Sequence, residues 1–170
     1  LEQAGERVSS TRIRAALADA DFDSAARLLG RPFEMAGRVQ HGQKLGRQLD
    51  APTANIALHR IRSPLHGVYA VNVSGGGLSD APGVANVGVK PTFGESLEAT
   101  LEVHVLEGAP DLYGERLTVR FRQKLRDEQK FPSLDALKEG IATDKANARA
   151  FALSAAMPFF KASRDGNFCS

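Results

Sequence analysis

The chain reads as a mainly β protein, a small antiparallel barrel framed by helices, and three observations predict it. From about residue 31 to residue 125, apolar and polar residues alternate in short runs. Glycine and proline punctuate those runs. On either side the hydrophobic period becomes helical. A period of two between turn residues marks half-buried antiparallel strands. Several such strands at close spacing favour a small barrel or sandwich, and closure also removes exposed edges.

Taken in order, residues 8–29 read as helical. Ser9 and Ser10 are N-cap residues, and Ile13, Ala16 and Leu17 repeat at i, i+3, i+4. A second short helix is predicted from Asp23 to Leu29, with Gly30 just past its end and Pro32 as a stop. Strands follow. Val68, Ala70 and Asn72 alternate with Tyr69, Val71 and Val73; Leu101, Val103 and Val105 with Glu102, His104 and Leu106; Leu117, Val119 and Phe121 with Thr118, Arg120 and Arg122. Gly75-Gly76-Gly77 is predicted to be a hairpin connection rather than a phosphate loop, because no helix follows it. Ser133 then caps a last helix carrying Leu134, Leu137 and Ile141 on one face, which Ala148 and Phe151 continue to about Leu153. Pro158 limits it. The expected organisation is a helical lead-in (1–30), a barrel with its C-terminal helix (31–153), and a partly disordered tail (154–170).

Composition narrows the function classes. A chain of 170 residues suits one ordinary domain. The single cysteine, Cys169, excludes an internal disulfide, disfavours a thiolate zinc site and favours a reducing, cytoplasmic setting. No apolar run reaches the length of a membrane span, and the first residues lack a signal-peptide core. A net charge of +2 does not argue for nucleic acid. A local excess at Arg116, Arg120, Arg122, Lys124, Arg126 and Lys130 is either a solvated strand face or a positive rim near an anionic ligand.

Common enzyme signatures are absent: no P-loop, no dinucleotide fingerprint, no zinc-protease helix and no nucleophile elbow. Two segments remain. In Gly37 to Asn55, a strand enters a loop with Gly42, Gly46, Lys44 and Arg47 and leaves through Pro52-Thr53-Ala54-Asn55. Glycines let backbone N–H groups approach an anion, and the cations could complete a phosphate cradle. Thr53 and Asn55 share one side of an extended chain, where a hydroxyl and an amide oxygen can ligate Mg²⁺. The same residues could equally form a glycine-rich hairpin with an Asn bonded to its own backbone. In Leu101-Glu102-Val103-His104-Val105, Glu102 and His104 share a face. That face is either the solvated outside of a sheet or the mouth of a pocket, where Glu102 could act as a general base.

Together these segments resemble the riboflavin kinase family, especially the C-terminal half of the bacterial bifunctional enzyme that makes FMN and then FAD. The resemblance rests on Pro52-Thr53-Ala54-Asn55, Asn86-Val87-Gly88-Val89-Lys90-Pro91-Thr92, Leu101-Glu102-Val103-His104, Asp111-Leu112-Tyr113-Gly114, Leu125-Arg126-Asp127-Glu128 and Phe131-Pro132-Ser133-Leu134, in that order. It implies a six-stranded antiparallel Greek-key barrel with a C-terminal helix. It implies transfer of phosphate from ATP to the ribityl 5′-hydroxyl of riboflavin, giving FMN and ADP with Mg²⁺. It assigns Thr53 and Asn55 to metal and phosphates, Gly42 and Arg47 to a flap over the nucleotide, and Val105 and Tyr113 to the nucleotide pocket. Glu102 becomes the base, and Arg126, Gln129 and Phe131 hold the flavin. Asp50-Ala51 replaces the family's glycine and bulky apolar residue, with weaker nucleotide binding the expected cost. Val8-Ser9-Ser10-Thr11-Arg12-Ile13-Arg14 resembles the end of the adenylyltransferase half, so a natural fusion to that domain is expected, without FAD synthesis by this chain. The alternatives are a related barrel that has lost catalysis, and an oligonucleotide-binding barrel. The second is poorly served by the few aromatics, Phe121 and Phe131, among the cations.

Overall fold

The computed structural model describes residues 9–41, 53–58, 63–91, 97–108 and 111–156, and the backbone of two short N-terminal strands, β1 (Glu2–Gln3) and β2 (Glu6–Arg7). That two-residue pair was not expected; it is too short to carry a hydrophobic period. Helix α1 (Ser10–Ala18) starts at Ser9, whose Oγ accepts the Arg12 N–H at 3.3 Å. Helix α2 (Phe22–Leu29) starts one residue earlier than predicted, because Asp21 caps it by accepting the Ser24 N–H at 2.9 Å. Gly30, at φ +71°, ends it in the left-handed conformation that suits glycine.

Six strands follow: β3 (Glu34–Gln40), β4 (Ala54–Ala57), β5 (Gly67–Gly75), β6 (Leu78–Pro91), β7 (Leu97–Val105) and β8 (Arg116–Arg126). They close into a barrel in the order β3-β4-β7-β6-β5-β8, every pair antiparallel. β5, β6 and β7 are consecutive neighbours and β8 returns beside β5, which is a Greek key. At the β5–β6 turn Gly75 faces Leu78, and Gly76 and Gly77 have φ of +58° and +83°. Two positive φ values are what a two-residue type I′ hairpin requires, so the triple glycine is the expected hairpin.

Inward positions fill the barrel: Val39, Ile56, Val87, Leu101, Val103 and Leu117 are all buried. Six strands are too few to leave a lumen. Phe22 of α2 closes one end, its ring 5.9 Å from Tyr69 and 6.1 Å from Phe121, with Leu17 and Ala25 buried in the same cluster. The helical lead-in thus contributes to the barrel core.

Helix α3 (Leu134–Ala156) begins at Ser133, whose Oγ accepts the Ala136 N–H at 3.1 Å. It lies on the outer surface of β5, β6 and β8. Ala148 packs there against Ala70 and Leu106, flanked by Val84, Leu125 and Phe151. This cover explains why Val68, Tyr69, Ala70 and Val71 are all buried although their strand alternates: one set faces the barrel core, the other faces the helix side. No described helix is long and apolar enough to cross a membrane. The helix runs to Ala156, past its expected end near Leu153, and the rest of the expected tail, 157–170, lies outside the described residues.

Candidate active site

Residues directly opposite each other on antiparallel strands project from the same face. Gln40 lies opposite Asn55, Asn55 opposite Glu102, and Glu102 opposite Asn86. Asn86 lies opposite Val68, and Val68 opposite Arg126. One row therefore crosses all six strands on the outside of the barrel, while the neighbouring Ile56, Leu101 and Val87 point inward. Glu102 stands on the outer face, yet that face is not simply solvated, because α3 walls it.

Between barrel and helix lies a cleft of about 300 Å³. Thr53, Asn86, Glu102 and His104 line it from the barrel; Leu137, Ile141, Asp144 and Lys145 line it from α3. Arg126, Glu128, Gln129 and Phe131, from the end of β8 and the link to α3, complete it. Five residues singled out in separate stretches of sequence, Thr53, Glu102, Arg126, Gln129 and Phe131, meet there. Asn55 instead lines an adjoining cleft of about 410 Å³ with His41 and Lys90. Lys90 Nζ lies 3.3 Å from Glu102 Oε1. Val105 is buried in the barrel core. Tyr113 is exposed, its ring stacked on His41 at 3.6 Å between centroids. Gly42, Arg47 and Asp50 lie outside the described residues.

Three of its nitrogens hold Arg126 in the cleft. Its Nε donates to Asp144 Oδ1 at 2.9 Å, its Nη2 to Asp144 Oδ2 at 2.8 Å, and its Nη1 to the Asp127 carbonyl at 3.0 Å. The guanidinium carbon sits 5.4 Å from the Phe131 ring centroid, within cation–π range. Phe131 in turn leans on Gly140 of α3, where an added Cβ would come within 2.5 Å of the ring. A glycine inside a helix costs about 1 kcal/mol relative to alanine; here it makes room for the aromatic ring. The Asn86 side-chain oxygen is the one buried side-chain polar atom among the described residues without a hydrogen-bond partner.

The sequence singled out neither Asp144, Gly140 nor the Asn86 side chain. Asp144 was findable: it lies three residues after Ile141 and seven after Leu137, so it shares their apolar face. The basic run of β8 is largely neutralised locally. Arg120 pairs with Glu34 at 2.9 Å and with Asp80 at 3.4 Å, and Lys124 pairs with Asp127 at 2.6 Å. Hydrogen bonding from Lys124 holds the Asp127 carboxyl below its ordinary range, and the same bond raises the Lys124 ammonium. Of the run, Arg126 lines the cleft beside Glu102.

No group of three or more His, Cys, Asp or Glu among the described residues could hold a metal by itself. Mg²⁺ does not need one, since it is commonly held by one or two protein oxygens, substrate phosphates and water. The Thr53 hydroxyl in the first cleft and the Asn55 amide oxygen, opposite Glu102 in the second, are hard donors of the kind it takes.

The fold is thus a filled Greek-key barrel whose outer cleft, under the C-terminal helix, brings together a carboxylate, a clamped guanidinium and an aromatic ring. The sequence model of the riboflavin kinase (flavokinase) family matches residues 29–152. The bifunctional riboflavin kinase/FMN adenylyltransferase of Pseudomonas fluorescens is 61% identical over 156 residues, 92% of this chain and 50% of that protein. Its Escherichia coli K12 counterpart is 51% identical over 149 residues, 88% of this chain and 47% of that protein. The chain spans about half the length of the curated relatives it matches. Among solved structures, riboflavin kinase from Trypanosoma brucei superposes with a TM-score of 0.52 at 27% identity, covering 72% of this chain and 80% of its own. A Streptococcus pneumoniae structure described as a macrolide-efflux protein superposes with a TM-score of 0.75 at 36% identity, covering 88% of this chain and 49% of its own. The chain belongs to the riboflavin kinase family.

Proposed function

We propose that the chain phosphorylates the ribityl 5′-hydroxyl of riboflavin with ATP, giving FMN and ADP. The observation that carries this reading is the convergence of Thr53, Glu102, Arg126, Gln129 and Phe131 on one cleft. Phe131 and the apolar side chains of Leu137 and Ile141 offer flat contact area for an isoalloxazine ring, and Arg126 offers donors for its carbonyl oxygens. Glu102, fixed on a central strand, accepts the hydroxyl proton as the new O–P bond forms and the bond from the γ-phosphorus to ADP breaks. Thr53 and Asn55 would hold Mg²⁺, which supplies charge neutralisation on the phosphates. Val105 and Tyr113, with Gly42 and Arg47, are assigned to the nucleotide side. Tyr113 stacked on His41, beside the cleft that Asn55 lines, supports a donor entering from that direction.

In the whole protein, we take residues 1–30 as the junction with an FMN adenylyltransferase domain, 31–153 as the kinase module and 154–170 as a tail. The half-length match to bifunctional relatives supports that fusion. The single cysteine supports a cytoplasmic setting. The test is incubation of the chain with riboflavin, ATP and Mg²⁺ and chromatography for FMN. FMN that requires both ATP and metal is expected. Riboflavin binding without FMN would replace the reading with a barrel that has lost catalysis.

A further inference from the structure

Asp144 is the one buried carboxylate among the described residues, only 5% exposed. Its neighbours on the helix face include the apolar Leu137 and Ile141 before it and Ala148 after it. A buried ion pair is a weak source of stability, since apolar residues of similar volume commonly hold a fold as well or better. Its geometry here is specific. Both Asp144 oxygens engage the Nε–Nη2 edge of Arg126, at 2.9 and 2.8 Å, which fixes the plane of the guanidinium. That plane decides how the guanidinium meets Phe131 and where its remaining N–H donors point. A guanidinium has five donors, and Asp144 and the Asp127 carbonyl engage three, so one is left on each terminal nitrogen.

We propose that Asp144 is a positioning residue for the acceptor substrate: it locks Arg126 in the orientation that, with Phe131, forms the ring-binding end of the cleft. The proposal rests on the reading that Arg126 and Phe131 face the flavin. It makes α3 part of the binding site, with its hold on the substrate passing through one ion pair. Asp144 touches no reacting atom, so its loss should appear in riboflavin binding and not in nucleotide binding.

The experiment measures riboflavin Kd by quenching of flavin fluorescence, the KM of each substrate, and the melting temperature. Asp144→Asn keeps the shape and removes the charge. Misplacing a binding group by about 1 Å can cost up to about a hundredfold, so riboflavin Kd should rise about tenfold or more, with the KM for ATP within about twofold. Arg126→Lys keeps the positive charge but not the fork. It should give a similar loss while leaving Asp144 a charged partner, which keeps the test valid if Asp144→Asn folds poorly. Asp144→Glu should recover part of the affinity. A lower melting temperature with riboflavin Kd unchanged in both Asp144→Asn and Arg126→Lys would overturn the proposal and leave the pair a structural tie. Unchanged riboflavin binding in Arg126→Met would overturn the underlying assignment of Arg126 to the flavin, and the proposal with it.

Discussion

The inside and the outside of this barrel have exchanged the roles that a larger barrel gives them. The inside is dry and full: Tyr69, Leu101, Leu117, Val73 and Val119 are buried almost completely, and Phe22 stops one end. The outside carries the row from Gln40 to Arg126, and α3 stands over the part from Glu102 to Arg126 as the second wall of a cleft. Barrels of about eight strands have just enough interior for side chains or one small ligand. A six-stranded barrel has no such space, so its chemistry must sit on the outer face, and a helix must supply the second wall. Successive residues of one strand then serve different ends, Leu101 the core and Glu102 the cleft.

That contrast can be broken by substitution on either side of the wall. The largest effect on stability is expected inside. Phe22→Ala should cost about 3–5 kcal/mol, the range for deleting a buried aromatic, with little change in the KM for riboflavin; chemical denaturation and steady-state kinetics check both. An outside change should do the reverse. Thr53→Ala is expected to weaken Mg-nucleotide binding by about tenfold, as loss of a contact to a charged group of about 1.5 kcal/mol, at unaltered melting temperature. Unchanged nucleotide affinity by calorimetry would count against its metal role. The smallest effect belongs to neither face. Asp21 caps α2, and hydrogen bonds from the side chain and backbone of Ser24 hold its carboxyl below the ordinary 3.8. A depressed folded-state value means the cap's contribution is present above about pH 4 and is lost as pH falls through the lower folded value. Asp21→Ala should therefore lower the melting temperature slightly at neutral pH and not at all in strong acid, where thermal melts at the two pH values would show the difference.

How far the sequence reveals this arrangement depends on whether the information is local. The strands and the type I′ hairpin at Gly76-Gly77 are local, and period-two alternation exposes them. Which side of β7 is the core is not local. Leu101 and Glu102 alternate whichever way the strand faces, and only pairing with Asn55 and Asn86 gives the answer. The residues of the cleft were findable as a set through the resemblance, since Thr53, Glu102, Arg126, Gln129 and Phe131 do meet. Their pairings were not, even where, as for Asp144, the helix face was legible. Asp144 lies eighteen residues from Arg126 on a different element, and Gly140 matters only because the Phe131 ring lies against it. Val105, given to the nucleotide side by the resemblance alone, shares its parity with Leu101 and Val103, and the structure buries it.

The central claim is that two adjacent residues of β7 divide stability from chemistry across the barrel wall. FMN formation and melting temperature measured together on Glu102→Gln and Leu101→Ala test it directly. Glu102→Gln should lose about 10²–10⁴-fold in turnover, the usual worth of a general base, while melting like the parent and still binding riboflavin. Leu101→Ala should lose about 2–5 kcal/mol of stability and keep most of its turnover at temperatures where it is folded. Near-normal turnover in Glu102→Gln would contradict the account and remove Glu102 as the base.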